Sequence, residues 1–362
     1  MARIEFKNMA HSYVPNPQGP EDYALHRSEH VWEDGGAYAL LGPSGCGKTT
    51  LLNITSGLLT PSEGQVLFDG DDVTKLRPEE RNIAQVFQFP VIYDTMTVRG
   101  NLAFPLRNRG APESHVKNRV EQVAEMLELT HMLDRKASGL GMDEKQKISM
   151  GRGLVRDDVR AILFDEPLTI IDPHLKWVLR RKLREIHSEL KHTLIYVTHD
   201  QTEALTLADK VVVMEEGRVL QTGTPQDLFE RPSHTFVGYF IGSPGMNFLS
   251  GSVEGESVRV GSTVLPLVPE IARKAASMDG EVTIGVRPER IQLAATADEG
   301  HCALPIKSIE DLGNYYMLHL DFEGHDIRVR AREDRRVTEG DTVGLVFPPE
   351  WNRVYCNKEL VE

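Results

Sequence analysis

The nine residues Gly42-Pro43-Ser44-Gly45-Cys46-Gly47-Lys48-Thr49-Thr50 constrain this chain more than any other stretch. A glycine, four residues and then Gly-Lys-Thr is a spacing at which backbone N–H groups can close around phosphate oxygens. Lys48 is then expected to reach the β- and γ-phosphates, and the Thr49 hydroxyl to ligate Mg2+. The flanks agree. Tyr38-Ala39-Leu40-Leu41 reads as a buried strand entering the turn, and Thr50-Leu51-Leu52-Asn53-Ile54 as a helix leaving it, whose N-terminus favours an anion. The motif predicts binding of ATP or GTP at the carboxyl edge of an α/β sheet.

Composition narrows the class. A chain of 362 residues has room for two or more domains, and 40% hydrophobic with 26% charged residues is an ordinary globular balance. Nowhere do about 18 apolar residues run together, so no membrane-spanning helix is expected. The opening Met1-Ala2-Arg3-Ile4-Glu5-Phe6 has no long apolar core, and a secretory leader is not expected. Cys46, Cys302 and Cys356 suit a reducing cytoplasm better than a disulfide framework, and no Cys/His cluster has zinc spacing. A net charge of −13 argues against a general grip on nucleic acid. The basic run Arg180-Arg181-Lys182-Leu183-Arg184 reads as the solvated face of a helix.

Residues 1–235 alternate short apolar runs with helical patterns, the mark of a largely parallel sheet. Strands are predicted at 161–164, 194–197 and 211–214, and amphipathic helices at 114–129, with Ser114 as N-cap, and at 176–190. Arg231-Pro232-Ser233-His234 marks a break. Over 236–362 the pattern becomes short alternating strands, at 257–260, 282–286, 317–321, 327–330 and 343–347, which predicts a small all-β, barrel or OB-like domain. The Pro/Gly-rich segment 15–20 is assigned to a surface loop within 14–30, without a function.

The strand at 161–164 runs into Asp165-Glu166-Pro167, which puts two acids beyond its carboxyl end, where the phosphate loop opens. Asp165 is expected to hold Mg2+, and Glu166 to polarise the attacking water as general base. A second strand, at 194–198, ends in His199, which from there can reach a γ-phosphate. Gln88 follows another strand-like run and is a candidate to touch Mg2+ or the water.

Phosphate loop, glutamine, Asp-Glu and His-Asp in that order resemble the ATPase subunits of ATP-binding-cassette (ABC) transporters, over residues 1 to about 235. The resemblance implies that Tyr13 stacks on adenine, Gln88 lies in a loop facing the membrane subunits, Asp172 closes the loop Thr169-Ile170-Ile171-Asp172, and His199 is the switch histidine. The break at Arg231 and the segment Gly285-Val286-Arg287-Pro288-Glu289 resemble carbohydrate importers of the maltose type, which carry a C-terminal regulatory β domain of the TOBE kind. The implied fold is an α/β P-loop ABC ATPase domain, 1–235, followed by that OB-like β domain, 236–362. The implied setting is the cytoplasmic face of the plasma membrane. The partners there are a second ATPase subunit, two transmembrane permease subunits and, indirectly, a solute-binding protein, with ATP and Mg2+ bound and no nucleic acid.

One segment departs from the family. Its signature, Leu-Ser-Gly-Gly-Gln at a helix N-terminus, contacts the γ-phosphate held by the partner ATPase. Aligned on Gln146 and Gly151-Arg152-Gly153, the equivalent here is Leu140-Gly141-Met142-Asp143-Glu144. The serine hydroxyl is gone, Met142 adds bulk where the backbone must come close, and Asp143 and Glu144 bring carboxylates to a phosphate site. This predicts an asymmetric heterodimer with one competent site. A pair of distinct ATPases resembles the glycerol importers, and 82–94 and 169–177 add to that likeness. The alternative is a homodimeric ATPase of a maltose- or sn-glycerol-3-phosphate-type importer. More remote readings are a soluble ABC ATPase acting on nucleic acid and a ligand-binding β barrel, for which Tyr315-Tyr316 is the only adjacent aromatic pair beyond residue 247.

Overall fold

The computed structural model describes residues 2–333 and 337–362. The chain divides into two compact units, Met1–Pro225 and Gln226–Glu362.

The first unit holds two sheets. Strands β1 (Ile4–Ser12), β2 (Tyr23–Trp32), β4 (Glu63–Phe68) and β5 (Asp71–Asp72) form an antiparallel sheet ordered β2-β1-β4-β5. Strands β3 (Ala37–Leu41), β6 (Ala84–Val86), β7 (Ile162–Asp165), β8 (Leu194–Thr198), β9 (Lys210–Glu215) and β10 (Arg218–Gly223) form the second, ordered β10-β9-β3-β8-β7-β6. Strands β9, β3, β8, β7 and β6 run parallel. Every residue of β3 and β8 is buried, because helices and loops cover both faces.

The helices of this unit are α1 (Lys48–Ser56), α2 (Pro78–Arg81), α3 (Val98–Arg107), α4 (Glu113–Met126), α5 (Met142–Leu154), α6 (Pro173–Leu190) and α7 (Gln201–Leu207). The expected N-cap of α4 is corrected: Pro112 caps it, and Ser114 lies inside the first turn. The proline supplies a fixed φ that leads into the helix, so no side-chain cap is required. The early loop is shorter than expected, since β2 begins at Tyr23 and pairs with β1. Two apolar clusters fill the unit, one around Leu102, Val123, Ile148 and Phe164, the other around Phe6, Trp32, Leu52 and Val197.

Among its described residues the second unit has eleven strands where the sequence suggested about five. They form two antiparallel sheets, one built on Asn247–Glu254 and Val282–Val286, the other on Cys302–Asp311, Tyr315–Phe322 and His325–Arg332. The missed strands are short or interrupted by Gly and Pro, as at Thr263–Pro266. Residues 226–235, assigned to the first domain on sequence, group with this unit. Arg287, 4% exposed, donates to the carbonyls of Phe229, Gly238 and Ile241, and Arg353 and Tyr355 donate to those of Glu230 and Pro232. Among the described residues no helix is long and apolar enough to cross a membrane.

Candidate functional site

The parallel register sets the site. Leu41 pairs with Thr198, Asp165 with Val197 and Val86 with Phe164, so β3, β8, β7 and β6 end together. Gly42, His199 and Glu166, just beyond those ends, and Gln88, two residues past Val86, therefore share one edge of the sheet.

The phosphate loop depends on its glycines. A Cβ on Gly42 would lie 2.2 Å from the Met214 carbonyl oxygen, and Gly47 is left-handed at φ 98°, with an added Cβ 2.7 Å from the Ala24 carbonyl. Gly47 is also the N-cap of α1, and the first turn of that helix carries no acid. Its N-terminal dipole is therefore open to an anion. Lys48, 6% exposed, donates its Nζ to the carbonyls of Gly42 and Pro43, both at 2.8 Å. The buried Cys46 thiol lies 3.8 Å from that Nζ, and burial pushes its pKa up.

The Thr49 hydroxyl donates to Asp165 Oδ1 at 3.3 Å. Burial raises the pKa of the Asp165 carboxyl above the usual range, against the pull of Thr49 and Lys48, and the Glu166 charge raises it further. No lysine or arginine forms an ion pair with Asp165 among the described residues. A hydroxyl and a half-buried carboxylate without a cationic partner are hard oxygen donors that suit Mg2+, which takes one or two protein ligands and leaves the rest to phosphate and water.

Glu166 Oε2 accepts from the Thr169 hydroxyl at 3.1 Å and lies 3.2 Å from His199 Nδ1. A carboxylate and an imidazole sharing a contact at the mouth of the phosphate loop can hold and orient a water. Asp172 caps α6, accepting the His174 N–H at 2.9 Å. Tyr13 is 63% exposed, with its hydroxyl 3.1 Å from Thr50 Oγ1 and its ring edge-on to His11. Ser44 and Gly45 are exposed in the loop, and Gln88 is half-buried between the exposed Phe87 and Phe89.

The segment 140–144 lies apart from this edge in sequence and makes its own arrangement. Gly141 is the N-cap of α5, and its N–H donates to Glu144 Oε2 at 2.8 Å. Met142 is 50% exposed. The Glu144 carboxylate thus closes its own helix N-terminus.

Sequence reasoning missed two residues at the sheet edge. Thr169 was read only as part of a loop, and Gln146 only as an alignment anchor. The signal for Gln146 was present: it lies on the face of α5 shared by Ser149, Met150 and Gly153, all buried, where an apolar residue would be expected.

Three family models match the chain: ABC transporter over residues 25–169, MalK OB fold domain over 242–291 and TOBE domain over 284–354. The sn-glycerol-3-phosphate import ATP-binding protein UgpC of Psychromonas ingrahamii is 36% identical over 353 residues, covering 95% of this chain and 91% of that protein. The oligosaccharides import ATP-binding protein MsmX of Bacillus subtilis is 37% identical, covering 96% of this chain and 95% of its own length. Among solved structures, cbiO1 from Clostridium perfringens, part of the ABC transporter complex cbiONQ, superposes with a TM-score of 0.57 at 27% identity, over 63% of this chain and 90% of that one.

Proposed function

The chain belongs to the ABC family, as an ATP-binding subunit of the sugar and sn-glycerol-3-phosphate importer type, and from that premise we propose how it works and with whom. ATP sits between the phosphate loop of this chain and the signature helix of a second, different ATPase subunit. Tyr13 packs on the base, Lys48 and the loop from Gly42 to Thr50 hold the phosphates, and Glu166 takes the proton of the attacking water, with His199 orienting its carboxylate and meeting the γ-phosphate. Gln88 lies beside that water at the end of the neighbouring strand. Thr49 and Asp165 would hold Mg2+, which when bound offsets charge on the phosphates. Closure of the two ATPases around ATP drives the permease subunits, and hydrolysis reopens them.

One observation supports the asymmetric pairing: Glu144 occupies the helix N-terminus with which a homodimer would have to meet its second ATP. A carboxylate there opposes phosphate, so two copies of this chain would make two impaired sites. The cargo of this reading is a small polyol, glycerol first, at the cytoplasmic face of the membrane. The relatives named above import sn-glycerol-3-phosphate and oligosaccharides, cargoes of the same polyhydroxylated class.

Purifying the tagged chain from its native membranes in mild detergent tests the pairing. A second, different ATPase recovered with permease subunits supports it, and loss of glycerol uptake on deleting this chain's gene supports the cargo. Recovery of this chain alone with permeases means a homodimer and overturns the asymmetric reading.

A further inference from the structure

Glu166 has an unusual backbone for a residue whose carboxylate must be placed accurately. Its φ is 46°, left-handed, and Pro167 follows it. A side chain strains that region, and a following proline further restricts the residue before it. Neighbouring segments hold the turn. The Glu166 N–H donates to the Val197 carbonyl at 3.0 Å, and the Thr169 N–H donates to the Glu166 carbonyl at 3.2 Å. The third tether comes from α5. Gln146, 0% exposed, donates its Nε2 to the Pro167 carbonyl at 2.8 Å and to the Phe87 carbonyl at 3.2 Å.

Both acceptors are carbonyls, so the NH2 of the amide must face them. That orientation leaves Oε1 buried without a protein partner among the described residues. A methionine of the same length would avoid the unmatched acceptor but would release both carbonyls. What glutamine supplies is therefore a bridge between two backbones: the residue after Glu166 and the residue before Gln88. It is the one side chain described above that touches the turns of both.

We propose that Gln146 is a positioning residue for Glu166, fixing the turn at Pro167 and drawing the Gln88 loop against it. The inference rests on Glu166 being the general base. It also gives α5 a second task. Its N-terminus is closed by Glu144, while its next turn holds the catalytic edge of the same subunit in place.

The test uses the complex purified from membranes with the subunits that accompany this chain. Gln146→Met is expected to lower kcat about 10- to 100-fold, the size of effect that small misplacement of a reacting group produces, with KM for ATP within about twofold. Added to Glu166→Gln, it is expected to leave the residual rate unchanged, because residues that act through one another do not add. If Gln146→Met lowers the residual rate of Glu166→Gln by the same factor as that of the wild type, or leaves wild-type kcat intact, the inference is overturned. Wild-type turnover by Glu166→Gln alone would instead remove the assignment of the base, and the inference with it. Should the methionine variant not assemble, Gln146→Asn, which keeps the amide but withdraws it by one methylene, goes through the same cycle.

Discussion

Helices α1 and α5 are built alike at one end and differently at the other. Each has a buried arginine at its C-terminus. Arg81 donates to the carbonyls of Ile54 and Thr55 at the end of α1, and also to Thr74 and Leu76, while Arg119 donates to those of Leu154 and Val155 at the end of α5. Burial lowers both guanidinium pKa values, that of Arg81 to about 10. Each helix has a glycine N-cap. Gly47 is left-handed and is followed by Lys48, Thr49 and Thr50, so its N-terminus faces outward for phosphate; Gly141 is extended and is followed by Asp143 and Glu144, and Glu144 turns back onto it. The same element, anchored in the same way, becomes an anion site or a closed end according to three side chains in its first turn.

Substitutions at five positions sharpen or break this contrast. The largest effect is expected at the open end: Glu166→Gln should reduce ATP turnover of the assembled complex by about 100- to 10,000-fold while ATP binding persists. Steady-state hydrolysis beside nucleotide binding decides it, and turnover near wild type means another residue is the base. Arg81→Met comes next. It strips four carbonyls of their donor, three of them buried, and should lower unfolding stability by about 3 kcal/mol or more. Arg119→Met should lower it by less, since Arg119 serves two carbonyls. Equal denaturant midpoints for the two variants would break the ranking, and midpoints at the wild-type value would show that the helix C-termini are not held by these bonds.

Tyr13→Ala is expected to weaken ATP binding about tenfold, the worth of one aromatic stacked on a base, while Tyr13→Phe, which loses only the contact with Thr50, stays within about twofold. Equal losses in the two would assign the effect to the hydroxyl. The smallest effect belongs to the closed end. Glu144→Ala removes the back-bond to Gly141 and should cost about 1 kcal/mol, with turnover of the complex unchanged within about twofold. Asp143 still sets a carboxylate in that first turn and no serine hydroxyl returns to it, so a large rise in turnover would mean that Glu144 alone, and not the whole segment, impairs the second site.

Much of the site was legible, and the reason is locality. The phosphate loop, the apolar strands and the acids at the end of β7 are patterns of neighbouring residues, and each formed where its pattern lay. The closed end of α5 was local too, since a glutamate three residues past an N-cap is a capping signal. The sequence reading took Glu144 as repulsion toward phosphate and passed over its reach to Gly141. Ser114 misled for the converse reason: a good N-cap residue stood two positions inside a helix that Pro112 had already begun.

By itself, the sequence determined that this protein binds a nucleoside triphosphate, that Asp165, Glu166 and His199 end buried strands, and that a β-rich second unit follows. Only the tertiary structure decided that β3, β8, β7 and β6 end within two residues of one another, that Gln146 joins two of their turns, and that Arg81 holds the far end of α1. The physical reason lies in the acceptors. Gln146 and Arg81 donate to backbone carbonyls, and every residue carries the same carbonyl. A buried donor can be found in a sequence, but its partner leaves no mark there.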